Sequence, residues 1–115
     1  MHELSIAISL VEAAGEEAEK HGATGVSAVH LRLGELAGVA KEALLFSYEL
    51  ATEGTALAGS RLVIEDLPVV VFCSTCRERR PIRSLRSFCC AVCDTPATDV
   101  VQGRELDVVA LEICE

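Results

Sequence analysis

Apolar residues recur over the first twenty positions at the spacing of a helix. Leu4, Ile8, Val11 and Ala18 form one stripe with Ala7 and Ala14 beside it, while Glu12, Glu16, Glu19 and Lys20 face away. This predicts a helix over 3–20, stopped by His21-Gly22. Over 26–33 the period drops to two, with Val29, Leu31 and Leu33 opposite His30 and Arg32, and a strand is expected. Helical spacing returns over 41–53, where Leu44, Leu45, Tyr48 and Ala51 line one side. A connection over 52–59 leads to a short strand over 61–65, and Pro68 closes that segment. Residues 105–113 again read as a strand. They are apolar on both faces at Val108-Val109, as in a central strand. The order is helix, strand, helix, strand, insertion, strand. Two helices covering one face of a small three-stranded sheet would bury these stripes in an α+β layer.

Composition sharpens the insertion. The chain has 115 residues, half of them apolar and only 3% aromatic, so any core is built from Val, Leu, Ile and Ala. Ten basic residues stand against 18 acidic ones, which argues against phosphate-driven nucleic-acid binding. The charge is uneven: between Cys73 and Cys93 lie Arg77, Arg79, Arg80, Arg83 and Arg86 against Glu78 alone. Composition and cysteine spacing change together near Pro68 and again near Gly103. This predicts one domain over 1–68 and 104–115 and an inserted one over 69–103. No apolar stretch is long enough for a membrane span. The opening residues lack the basic-then-apolar pattern of a secretory signal, so the expected compartment is the cytoplasm.

In a reducing compartment, six cysteines read as metal ligands or reactive thiols. Cys73-Ser-Thr-Cys76 and Cys90-Ala-Val-Cys93 are two CxxC pairs, the spacing of a four-thiolate zinc site. A two-residue spacer lets a tight turn aim both sulfurs at one ion, and two such knuckles complete a tetrahedron. The segment has few apolar residues of its own, so metal binding would supply much of its folding free energy. A redox dithiol and an iron site use the same residues and stay open. Cys89 also precedes Cys93, but only Cys90 reproduces the spacing of the first knuckle. Cys114 has no cysteine near it in sequence and is expected to be a buried structural thiol. A site closed by four thiolates argues for structure and against catalysis. The arginines between the knuckles read as charge balance or a docking surface.

Met1-His2-Glu3 offers a second candidate. The Met1 amine, the His2 backbone nitrogen and the His2 imidazole chelate one ion. The Glu3 backbone nitrogen closes a plane of four nitrogens, a geometry suited to Ni(II) or Cu(II). The first N–H groups of a helix have no intrahelical acceptor, so losing one of those protons breaks no ladder bond. Taken alone, a histidine at position two reads as incidental.

Several stretches then act together. The opening Met-His-Glu-Leu-Ser, the segment Val-His-Leu-Arg-Leu-Gly-Glu-Leu over 29–36 and the paired CxxC insertion resemble the HypA/HybF family of hydrogenase maturation nickel chaperones. So do Phe46, Gly59-Ser60 ahead of Leu62-Val63-Ile64-Glu65, and the closing Gly103-Arg-Glu-Leu. The resemblance implies an α+β nickel-binding domain carrying an inserted four-cysteine zinc-ribbon-like domain. It implies His2 as the nickel ligand with Glu3 beside it, and Cys73, Cys76, Cys90 and Cys93 as zinc ligands. It further implies a non-enzymatic metallochaperone. Ni(II) is its cargo and Zn(II) its structural metal. Its expected partners are a HypB-type GTPase and the precursor of a [NiFe]-hydrogenase large subunit. A zinc-ribbon adaptor for protein or nucleic acid, with no nickel role, is the alternative. Two departures stand out. The second knuckle lacks the proline and glycine common in such domains, although Asp94 tolerates the left-handed backbone that the turn needs. No histidine lies between Cys73 and Cys93 to couple zinc to nickel.

Overall fold

A computed structural model describes residues 2–114. Its elements are α1 (His2–Lys20), β1 (Gly25–Gly34), α2 (Lys41–Thr52), β2 (Arg61–Leu67), β3 (Val70–Cys73), β4 (Glu78–Ser84), β5 (Ser87–Cys90), β6 (Val100–Gln102) and β7 (Leu106–Cys114). The chain divides into two compact units. One comprises Met1–Arg32, Gly38–Glu65 and Asp107–Glu115; the other comprises Leu33–Ala37 and Asp66–Leu106.

The first unit packs α1 against α2 and contains most of a sheet in the order β2-β1-β7. Ala7, Val11, Ala14 and Ala18 recur at spacings of three and four and are the buried face of α1. The expected stripe is therefore partly wrong, because Leu4 and Ile8 are exposed. Leu4 sits in the first turn, and Ile8 lies one residue off the alanine row. Small side chains on this row let other elements come close: a Cβ added at Gly15 would sit 3.8 Å from the Leu57 side chain. The α1 stop forms as expected. Gly22 has φ 68°, its N–H bonds to the Glu19 carbonyl, and the Ala23 N–H reaches back to Ala18. This is the paired closure by which a left-handed glycine satisfies the last carbonyls. From β1 the core receives Val26, Ala28, Val29 and Leu31, and from α2 it receives Leu44 and Tyr48.

β1, not β7, is the central strand. β7 lies at the edge, and Val108, Val109 and Ile113 are exposed, Val109 by 51%. An apolar run on both faces permits a central position without requiring one. Here β1 holds that place because it has neighbours on both sides.

The second unit contains an antiparallel sheet in the order β5-β4-β3-β6. Its strands are three to seven residues long, too short for periodicity to reveal. The apolar core is slight: Val69, Val71 and Ala97, with Leu36, Ile82, Phe88 and Val100 against them. Leu85 is exposed in the turn between β4 and β5.

Leu33–Ala37 falls in this second unit, whereas the sequence places it within 1–68. Backbone hydrogen bonds are the reason. Gly34 N–H bonds to the Glu105 carbonyl at 2.7 Å, Glu35 N–H to Leu67 at 3.0 Å and Leu36 N–H to Gly103 at 2.6 Å. The Glu35 carboxylate also accepts from Val69 N–H at 3.2 Å. Gly34 lies so close to Gly103 that a Cβ would overlap the Gly103 carbonyl. Gly103 itself has φ 128°, and its own Cβ would press on Val69. Gly34→Ala is therefore expected to destabilise the protein by about 1–3 kcal/mol, as overpacking does. Urea unfolding checks this; an unchanged midpoint would refute the close approach.

Candidate metal centre

Two turns of the same construction bring the four cysteines together. In the first, Cys76 N–H approaches Cys73 Sγ at 3.4 Å and Arg77 N–H bonds to the Cys73 carbonyl at 2.7 Å. In the second, Val92 and Cys93 N–H groups approach Cys90 Sγ at 3.4 and 3.5 Å, and Asp94 N–H bonds to the Cys90 carbonyl at 2.8 Å. Each turn leaves through a left-handed residue, Arg77 at φ 58° and Asp94 at φ 66°. The expected tolerance of Asp94 is thus used. Arg77, at the equivalent place, adopts the conformation without that intrinsic ease. Arg83 Nε holds the Asp94 carboxylate at 2.8 Å.

The four sulfurs lie within 4.8 Å of one another. Cys73–Cys93 is 3.5 Å, Cys76–Cys93 3.6 Å and Cys76–Cys90 3.9 Å. A tetrahedron with metal–sulfur bonds of about 2.3 Å has sulfur–sulfur edges of about 3.8 Å. The observed spacing fits one ion and is too tight to enclose a multinuclear iron–sulfur cluster. Cys73 and Cys90 are buried and Cys93 is exposed, so the site sits at a surface with its two anchoring sulfurs inside.

Without metal, the thiols share protons unequally. Hydrogen bonds to the Thr95 hydroxyl, 3.1 Å away, and the Thr95 backbone bring Cys93 down to about 6. The Arg80 guanidinium favours the Cys76 thiolate. Hydrogen bonding with Cys93 and burial outweigh it, and Cys76 is pushed up to about 11. Cys76 accordingly donates to Cys93. Arg80 and Thr95 are the residues that sequence reading missed. Only alternation with Ile82 along β4 hinted that Arg80 turns inward.

Cys89 is half-buried, receives the Ser87 hydroxyl at 3.4 Å and lies outside the sulfur cluster. Cys114 is exposed on the edge strand, against the expectation of a buried thiol.

At the start of α1, His2 Nε2 lies 2.9 Å from the Gly38 carbonyl and 3.3 Å from a Glu3 carboxylate oxygen. A carbonyl only accepts, so Nε2 donates to it, and in a neutral ring the lone pair is then on Nδ1. The Glu3 side chain, 13% exposed, accepts Ala40 N–H at 3.1 Å. It occupies the start of α2, where Ala40 supplies no side-chain cap. The Met1 amine lies outside the described residues.

The whole chain has close relatives. A family model described as hydrogenase/urease nickel incorporation, metallochaperone, hypA matches residues 1–113. The chain belongs to the HypA family. It is 52% identical over 112 residues to the hydrogenase maturation factor HypA of Chloroflexus aurantiacus, covering 97% of this chain and 98% of that one. Against HypA of Desulfosudis oleivorans the identity is 40%, with both chains fully covered. The solution structure of the nickel metallochaperone HypA from Helicobacter pylori superposes with a TM-score of 0.68 at 26% identity, covering 99% of this chain and 98% of that one. The α+β fold, with two helices, a three-stranded sheet and a four-cysteine cluster, is thus that of HypA. No helix among the described residues is long and apolar enough to cross a membrane.

The Ala40 N–H holds the Glu3 carboxyl below its ordinary value near 4.5. A carboxyl depressed on folding contributes stability above its unfolded value, and that contribution is lost as pH falls through the folded value. Glu3→Gln should therefore lower stability at neutral pH and flatten the decline below pH 4.5. Denaturant melts from pH 7 to pH 3 read this, and parallel curves for the two proteins would exclude the capping role.

Proposed function

We propose that the chain carries Ni(II) at its N-terminus and delivers it during maturation of a [NiFe]-hydrogenase. The His2 imidazole, the His2 and Glu3 backbone nitrogens and the Met1 amine are the ligands. The observation that carries this reading is the His2–Gly38 hydrogen bond. It fixes one ring nitrogen as a donor, so that in the neutral ring the other, the nitrogen nearer the backbone, offers its lone pair to a metal. The Glu3 carboxylate is engaged with α2, in keeping with a role through its backbone nitrogen. The His2 N–H lies at the start of α1, where no helical carbonyl claims it.

Zn(II) is the resident metal of Cys73, Cys76, Cys90 and Cys93. Four thiolates leave no open position, so this ion holds the second unit together and takes no part in chemistry. The zinc domain is this second unit, Leu33–Ala37 with Asp66–Leu106, and the nickel-binding domain is the first. The chain makes and breaks no substrate bond. It works in the cytoplasm with a HypB-type GTPase and the hydrogenase large-subunit precursor. Release to a partner requires a labile site, which an open clamp of nitrogens supplies and a closed sulfur cage does not.

Metal content and nickel titration test both sites together. His2→Ala should weaken nickel binding at least tenfold while retaining one zinc per chain, and Cys76→Ser should lose the zinc. Nickel binding that survives His2→Ala and vanishes with Cys76→Ser would reverse the assignment. Residues fused ahead of Met1 should also weaken nickel binding, because they remove the free amine. Undiminished affinity in an extended chain would exclude the amine as a ligand.

A further inference from the structure

Arg80 is set apart from the other arginines of the cysteine-rich segment. Strand register pairs Val71 with Arg80 and Cys73 with Glu78 between β3 and β4, and Ile82 with Cys90 between β4 and β5. Paired residues share a face of a sheet, and side chains alternate along each strand. Cys73, Val71, Glu78, Arg80, Ile82 and Cys90 therefore lie on one face, with Arg80 between the two buried cysteines. Its side chain is only 27% exposed, against 56% for Arg83. Nη1 meets the Glu78 carboxylate at 3.2 Å. Nε is buried and has no hydrogen-bond partner among the described residues. A buried guanidinium nitrogen without an acceptor is costly, and its surroundings explain why it stays: Arg80 borders Cys76 and Cys90. Four thiolates around one divalent ion carry a net charge of −2, so the sulfurs become strong acceptors once a metal holds them deprotonated.

We propose that Arg80 is a positioning residue for the four-cysteine centre. Its guanidinium offsets the negative charge of the metal–thiolate unit, slows loss of the ion and dampens the reactivity of the Cys76 sulfur. Charge-assisted hydrogen bonds are stronger than neutral ones, and partners beyond the ligands set how firmly a metal is held. Glu78 competes for the same guanidinium and moderates the effect. The inference rests on zinc occupying the site, and it gives the second unit a reason to hold its own metal while nickel passes through the protein.

The test uses the full chain loaded with Zn(II) and follows two rates: transfer of zinc to a chromophoric chelator, and alkylation of Cys76 by iodoacetamide, mapped by mass spectrometry. Arg80→Met keeps the apolar stem and removes the charge. It should release zinc about tenfold faster and raise Cys76 alkylation by a similar factor. Arg80→Lys should restore most of the native behaviour. Arg79→Met, on the opposite face, should match the native chain. Glu78→Gln leaves Arg80 in place and frees it from its carboxylate, so zinc release should slow.

That opposite direction separates electrostatic support from a merely structural ion pair, and it remains readable even where Arg80→Met does not fold. The proposal is overturned by native rates in Arg80→Met, by Arg80→Lys failing as badly as Arg80→Met, or by Glu78→Gln failing to slow release. Zinc content of the native chain is measured first. A native chain without zinc would sink the assignment of the site itself, whereas a zinc-loaded native chain with indifferent Arg80 variants would sink only the inference.

Discussion

Mutual repulsion is the constraint on which the second unit depends. Four sulfurs within 4.8 Å of one another cannot all be thiolates unless a cation sits among them. Without metal they compromise through shared protons, with Cys93 low and Cys76 high. The core beside them is three buried residues and a few half-buried ones. Such a core does not offset the entropy of ordering about forty residues, and small domains of this kind rely on a metal. Everything else there serves the sulfur geometry: two left-handed exits, short antiparallel strands that deliver Cys73 and Cys90 from inside, and an inward arginine.

The first unit works differently. Its stability comes from burial of small aliphatic side chains, and its candidate cargo site makes little demand on the fold. His2 and Glu3 sit in the first turn of α1, where backbone N–H groups are unsatisfied by the helix. Contacts with Gly38 and Ala40 then set the ring and the carboxylate. A carrier needs such a site, one that loses its ion without unfolding the protein. On the proposed reading, strong ligands in a closed cage and weaker ligands at an open end would divide retention from release within one chain.

Edges and boundaries were harder to read from sequence than elements. The Val108-Val109 run looked central because apolar residues occupied both faces, yet β7 is an edge strand. Leu4 and Ile8 looked like core because period and hydrophobicity agreed, yet the alanine row is the buried one. Hydrophobicity reports what a side chain tolerates, while burial depends on which neighbours arrive. The same holds for Leu33–Ala37, whose membership follows from carbonyls contributed by Leu67, Gly103 and Glu105.

Local spacing alone determined the two helices, the glycine stop of α1, the strand over β1 and the pairing of the CxxC turns. Each of these depends on residues within a few positions of one another, so the sequence carries the full instruction. Tertiary structure decided the inward turn of Arg80, the Thr95 contact on Cys93, the choice of β1 as the central strand, and the 36- and 37-residue reach by which Gly38 orients His2 and Glu3 caps α2. Those contacts join positions far apart in the chain, and long-range proximity leaves no period to detect.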